Sequence, residues 1–126
     1  MRVLLDTVTF IWAVSAPERL SRAAMSTLRR GTTVREISVV SLTEIAVKQT
    51  RGRLAFTRAD VATGIADLQL RVLPYTADHA MTLFDLPLHH ADPFDRQIVA
   101  QALAEGVAVV TPDESFGLYG GLKVVW

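Results

Sequence analysis

Five short apolar runs, the first four separated from one another by stretches with helical spacing, confine this chain to an α/β architecture. The runs are Arg2 to Leu5, Glu36 to Val40, Arg71 to Leu73, Val107 to Val110 and Lys123 to Val125. Helical patterns lie between them. They are Ser21 to Arg30 stopping at Gly31, Leu42 to Arg51 stopping at Gly52, a Thr57/Asp60 capping box opening a helix to Leu70, Thr76 to Phe84, and a helix leading from Asp92 into the Val107 run. Strands that alternate with helices predict a mostly parallel sheet of about four to five strands, covered on both faces. With 126 residues, 50% of them hydrophobic, and no repeat, low-complexity tract or linker, one domain spanning 1–126 accounts for the sequence.

Composition removes whole classes of chemistry. There is no cysteine, hence no disulfide, thiolate metal site, iron–sulfur cluster or thiol nucleophile. No segment reaches the roughly 20 apolar residues of a membrane span, and Asp6 interrupts the N-terminal apolar run before it can serve as a signal core. A cytoplasmic protein without membrane contact is expected. The net charge of zero conceals an uneven layout. Over residues 22–58, Arg22, Arg29, Arg30, Arg35, Lys48, Arg51, Arg53 and Arg58 are set against only Glu36 and Glu44, whereas residues 60–114 hold nine acids against Arg71 and Arg96. A basic half that draws a polyanion and an acidic half that holds a cation suit metal-dependent work on nucleic acid. Two solvated faces of opposite sign are the plainer reading.

Parallel sheets bind their ligands beyond the carboxyl ends of the strands, which directs attention to the polar residues there. Asp6 follows the first run, Glu44 falls in the first turn of the helix after the second, and Asp113 stands three residues past Val110. Asp92 and Asp95 open the helix before the Val107 run. Each has an ordinary structural job as well. Asp92 is an N-cap with Pro93 at the first helical position, Asp95 favours the helix dipole, Asp113 can cap a short helix, and Glu44 pairs with Lys48 one turn on. What sets Asp95 apart is its direction. At about 100° per residue it projects from the middle of an apolar stripe formed by Phe94, Ile98, Val99, Ala102 and Leu103, so it is aimed inward. A buried carboxylate needs a cation, donors or a shared proton, and acids converging without basic partners call for a divalent metal. An all-oxygen site suits Mg²⁺ or Mn²⁺, while zinc is disfavoured because His79, His89 and His90 are poorly spaced for it. All three histidines read as core or surface residues.

The blocks Leu4-Leu-Asp6-Thr7, Ser41-Leu-Thr-Glu44-Ile-Ala-Val-Lys48 with Gly52-Arg-Leu54, Leu86-Pro-Leu-His-His-Ala-Asp92-Pro-Phe-Asp95-Arg96 with Ala100-Gln-Ala102, and Val110-Thr-Pro-Asp113-Glu-Ser-Phe116 resemble a PIN domain of the VapC toxin type. The Asp-Pro-Phe-Asp-Arg block followed by Ala-Gln-Ala is the most specific part. The resemblance implies an α/β/α sandwich and a Mg²⁺- or Mn²⁺-dependent endoribonuclease. It further implies a homodimer inhibited by a cognate VapB-type antitoxin and directed at structured RNA such as transfer RNA. By motif, Asp6, Glu44, Asp95 and Asp113 match the acidic quartet, with Asp92 auxiliary. Two positions depart from the pattern. Val8 stands where many relatives have His, and Thr43 stands where an aromatic often precedes the Glu; both changes are expected to alter the pocket wall.

Around that quartet, Thr7 and Thr111 are candidates to hydrogen-bond carboxylates or phosphate, and Arg51, Arg53 and Arg96 to contact backbone phosphates. Phe10, Ile11 and Trp12, with Leu83, Phe84, Leu86 and Leu88, read as core, or else as a groove for an antitoxin helix. Two other classes stay open. A phosphoacceptor receiver domain needs a Lys after a late strand, and Val110 is followed by Thr-Pro-Asp instead. A catalytically silent PIN-like module that holds RNA or protein is disfavoured by the presence of all four acids.

Overall fold

A computed structural model describes residues 1–126. The strands are β1 (Arg2–Leu5), β2 (Val34–Ser38), β3 (Arg71–Leu73), β4 (Ala108–Val110) and β5 (Val124–Val125). The helices are α1 (Thr7–Ser15), α2 (Arg22–Arg29), α3 (Val39–Thr50), α4 (Arg58–Asp67), α5 (Ala77–Thr82) and α6 (Pro93–Glu105). Single 3₁₀ turns occupy Pro17–Arg19, Leu83–Asp85 and Glu114–Leu118. All five strands are parallel, in the order β3-β2-β1-β4-β5.

Side chains of a strand alternate between faces, and here both faces are covered, which explains why β1 is apolar at three successive positions. Val3 and Leu5 join Phe10, Ile37, Ile45, Phe56, Ala108 and Val110 in one core layer, while Leu4 joins Leu73, Ile98, Val99, Ala102, Val109 and Phe116 in the other. At Gly64 of α4 a Cβ would lie 2.5 Å from Val14 Cγ2, so α4 packs directly on α1 with no room for a side chain. Gly106 ends α6 in the left-handed region, at φ 66°, releasing the chain straight into β4.

Two expectations are corrected and one helix is added. The run Glu36 to Val40 does not continue as a strand beyond Ser38, because the Ser38 hydroxyl accepts the Val40 N–H at 2.9 Å and caps α3. Helix α3 therefore starts three residues before Leu42, and Glu44 falls in its second turn. The segment Thr7–Ser15 forms a helix that periodicity does not announce, with Asp6 as its N-cap. Helix α4 stops at Asp67, short of Leu70, where Gln69 turns back at φ 52°.

Candidate active site

Strands β1 and β4 are adjacent although the connections leave them toward opposite edges of the sheet. The crevice at their carboxyl ends is therefore the switch point where such folds place ligands. Asp6 sits there directly after β1, with its N–H donating to Val110 O at 3.2 Å. As N-cap of α1, its Oδ1 accepts the Thr9 N–H at 2.9 Å, and its Oδ2 accepts the Thr111 hydroxyl at 2.6 Å. Glu44 reaches the same crevice from α3, accepting the Thr7 hydroxyl at 2.6 Å and the Lys48 ammonium at 2.6 Å. Thr7 Oγ1 also lies 2.9 Å from Ser41 Oγ. Asp92 caps α6 by accepting the Phe94 N–H at 2.8 Å, and Asp95 stands at the third helical position. Asp113 caps the 3₁₀ turn after β4, accepting the Ser115 N–H at 2.9 Å.

These five carboxylates line one cleft of about 330 Å³, together with Thr7, Val8, Ile11, Lys48, Arg53 and Leu54. A second cleft, about 310 Å³ between α3 and α4, is walled by Leu42, Ile45, Phe56 and Val61 and contains no acid.

Crowding of like charge marks Asp95. Burial, followed by the charges of Asp92, Glu44 and Asp6, pushes its carboxyl up to about 7 against the opposing effect of His90, and no protein hydrogen bond supports its ionised form. Burial likewise raises Asp6, although the two threonines and the Thr9 N–H favour its charge. At Asp113 burial works against ionisation, but the Ser115 N–H and His90 outweigh it and hold the carboxyl below its ordinary value. The Glu44 carboxylate raises the Lys48 ammonium.

A profile of the PIN domain matches residues 3–122. The chain belongs to the PIN-domain family. No curated protein sequence matches it. Among solved structures it is similar to VapBC2 from Rickettsia felis bound to a DNA fragment from their promoter, with a TM-score of 0.76, 16% identity and coverage of 98% of this chain and 97% of that one. It is also similar to DNA-bound VapBC from Salmonella typhimurium, at TM-score 0.67 and 21% identity over 98% of this chain and 96% of that one. VapBC-5 of Mycobacterium tuberculosis, a member of the VapBC family of toxin-antitoxin systems, gives TM-score 0.62 and 22% identity over 98% and 97% of the two chains. At these identities the likeness is one of fold, and it matches the α/β/α arrangement of the PIN domain described above.

In this PIN domain Asp6, Glu44, Asp92, Asp95 and Asp113 come together, and Thr7 and Thr111 each donate to one of those carboxylates. Arg53 lines the cleft, and Arg51 lies on an adjoining depression with Lys48, Arg53 and Asp92. Arg96 is placed differently. Its guanidinium donates to Pro87 O at 2.8 Å and Leu86 O at 3.4 Å, tying down the loop before α6. Val8 forms part of the cleft wall, but Thr43 is exposed, with its hydroxyl donating to Val39 O, and does not. Of the apolar residues, Phe10 is in the core, whereas Phe84 and Leu88 are about four-fifths exposed.

Two site residues escape the sequence reading. The acids are not without a basic partner, since Lys48 enters the cleft. His90 is a core residue, as one of the two readings has it, but its Nε2 also lies 3.0 Å from Asp113 Oδ2, which ties it to the site. Its position two residues before the Asp92 cap is the one local signal. His90, Asp95 and Asp113 each offer a ligand atom, all within 4.8 Å of one another. An unsupported carboxylate at Asp95 amid oxygen donors and one imidazole is a donor set that fits a divalent metal ion. Helix α1 brings Thr7 and Val8 to the cleft, and His79 lies elsewhere, buried against Glu105 at 2.9 Å.

Proposed function

We propose that this PIN domain is a Mg²⁺- or Mn²⁺-dependent endoribonuclease of the VapC type, the toxin of a type II toxin–antitoxin pair. The observation that carries the reading is the convergence of Asp6, Glu44, Asp95 and Asp113 from four separate segments, with Asp92 beside them, into a cleft that also holds Lys48 and Arg53. The family membership and the VapBC neighbours support it.

Asp6, Glu44, Asp95 and Asp113 would hold the metal. When bound, such an ion neutralises phosphate oxygens and acidifies a water molecule. The chain's own residues do the rest. Thr111 and the Thr9 N–H fix the rotamer of Asp6, and Thr7 fixes that of Glu44, so that neither acid must reorganise to act. Lys48 and Arg53, at the rim, meet the RNA backbone, and Arg51 extends that contact along the adjoining depression. Asp113, on the turn after β4, would complete that ligand set.

The whole chain, 1–126, acts as one nuclease domain in the cytoplasm; no helix is long and apolar enough to cross a membrane. Its partners are a VapB-type antitoxin, whose basic side chain the acidic cleft attracts, a second copy of the toxin, and structured RNA such as transfer RNA. The test is cleavage of total RNA by purified protein in Mg²⁺, Mn²⁺ or EDTA, with Asp6→Asn as the control. Discrete products that need both the metal and Asp6 support the reading. Folded, antitoxin-free protein that cuts nothing in either metal refutes it and leaves a silent PIN-like binding module.

A further inference from the structure

We infer that His90, itself oriented by Tyr119, is a positioning residue for Asp113, holding that carboxylate in the pose in which it ligates the divalent ion. This rests on the metal-nuclease reading above and assigns a role to residues that reading leaves out.

The geometry is a three-member chain. His90 Nε2 lies 3.0 Å from Asp113 Oδ2, and His90 Nδ1 lies 2.9 Å from the Tyr119 hydroxyl. A carboxylate only accepts, so Nε2 carries a proton and donates to Asp113, while Nδ1 is paired with the Tyr119 hydroxyl. Tyr119 is 2% exposed, and its hydroxyl has no other partner, so this bond holds the ring with Nε2 facing Asp113. Packing fixes the ring plane. His90 stacks on Tyr119 at 8°, with centroids 5.6 Å apart, and meets Phe116 edge-on at 4.9 Å.

Asp113 is the acid of the quartet that needs such help. Its side chain is 38% exposed, against 5% for Glu44, and it follows a strand by three residues rather than standing on a long helix. Its Oδ1 is held by the Ser115 N–H and its Oδ2 by His90, so both oxygens are oriented before any ion arrives. Both ring nitrogens of His90 are engaged, and ligation by the imidazole itself would cost the Asp113 contact. Hydrogen bonds of this kind behind a ligand carboxylate are typically worth about tenfold to a hundredfold in metal affinity.

The experiment is Mn²⁺ binding, by electron paramagnetic resonance and calorimetry, to wild type, His90→Leu, His90→Gln, Tyr119→Phe and Asp6→Asn, with folding checked by circular dichroism. We expect His90→Leu to weaken Mn²⁺ by about tenfold to a hundredfold. His90→Gln, whose amide N–H can still reach Asp113, recovers most of that loss, and the wild-type ring shows the Nε2–H tautomer in its ¹⁵N shifts. Wild-type affinity in folded His90→Leu overturns the inference while Asp6→Asn remains defective. A Gln variant as weak as Leu overturns it in favour of the imidazole as a direct ligand. Where His90→Leu does not fold, Tyr119→Phe decides, since unchanged affinity and unchanged tautomer there also overturn it. Wild type that takes up no Mn²⁺ overturns the metal reading, and this inference with it.

Discussion

Replacing Asp95 by Asn should make the metal-free protein more stable, although it removes a carboxylate from a position that helix dipoles favour. The Asp95 carboxyl is displaced from 3.8 to about 7 by burial and by Asp92, Glu44 and Asp6. About three pH units correspond to ~4 kcal/mol at 1.36 kcal/mol per unit. Asp95 is partly exposed, and screening by water reduces this to ~2 kcal/mol; the interaction of its charge with the first turn of α6 returns about 0.5 kcal/mol. The sign follows from proton binding. An acid whose pKa is higher folded than unfolded binds its proton more tightly in the native state, so its contribution is fully present below about pH 4 and is lost as pH rises to about 7. In EDTA at pH 8, Asp95→Asn should therefore gain ~1 to 2 kcal/mol, or roughly 3–8 °C in Tm, and near pH 4 the two proteins should converge. Saturating Mg²⁺ or Mn²⁺ should reverse the order, since an ion at a hundred times its Kd adds about 2.7 kcal/mol to wild type alone. Urea unfolding from pH 4 to 8, with EDTA or metal, reads all three comparisons. An Asn variant less stable than wild type at pH 8 in EDTA would refute the reasoning and make Asp95 a helix-dipole residue.

Asp6→Ala should lose RNA cleavage together with about 1 kcal/mol of stability, because the cap of α1 goes and the Thr111 hydroxyl loses its acceptor, whereas Asp6→Asn loses cleavage alone; urea unfolding beside the RNA assay separates them. Lys48→Met removes the ammonium that competes for Glu44, so Mn²⁺ should bind more tightly in calorimetry while cleavage falls; weaker binding would mean that Lys48 organises the site instead. Gly64→Ala should destabilise the fold by about 1–3 kcal/mol because its Cβ meets Val14, and Val14→Ala should recover part of the loss in a double-mutant cycle. Additive losses in that cycle would show that the α1–α4 contact is not the cause.

Legibility in the sequence followed the range of the interaction. The Thr57/Asp60 capping box, the Asp92-Pro93 helix start and the β1 and β3 runs are local, and each stands in the structure where its residues place it. The end of β2 is also local, but two effects compete there: the β-branched pair Val39-Val40 suggests a strand, and the Ser38 cap wins. Helix α1 is hard to read because Thr7–Ser15 is apolar nearly all round, its Phe10 face in the core and Ile11 and Trp12 half-buried, so no polar stripe betrays a period of 3.6. The inward aim of Asp95 is legible because a helix places neighbours at known angles. The contact of His90 with Asp113, 23 residues apart, is not, for nothing in either segment encodes the other's position. Lys48 lies between these cases. Its pairing with Glu44 is a spacing rule, but its entry into the cleft depends on where α3 begins.

The pairing of β1 with β4 also sets a schedule. The first acid of the cleft precedes its hydroxyl donor, Thr111, by 105 residues, and the strand that flanks it, β4, comes just before that threonine. Closing so long a loop is slow, and no shorter stretch of chain can substitute for it. A nascent polypeptide that has not yet emitted β4 carries Asp6 and Glu44 but neither Thr111 nor Asp113. The earliest acid of the cleft thus waits for the fourth strand of the sheet, and the cleft cannot exist until that strand and the turn after it have been made.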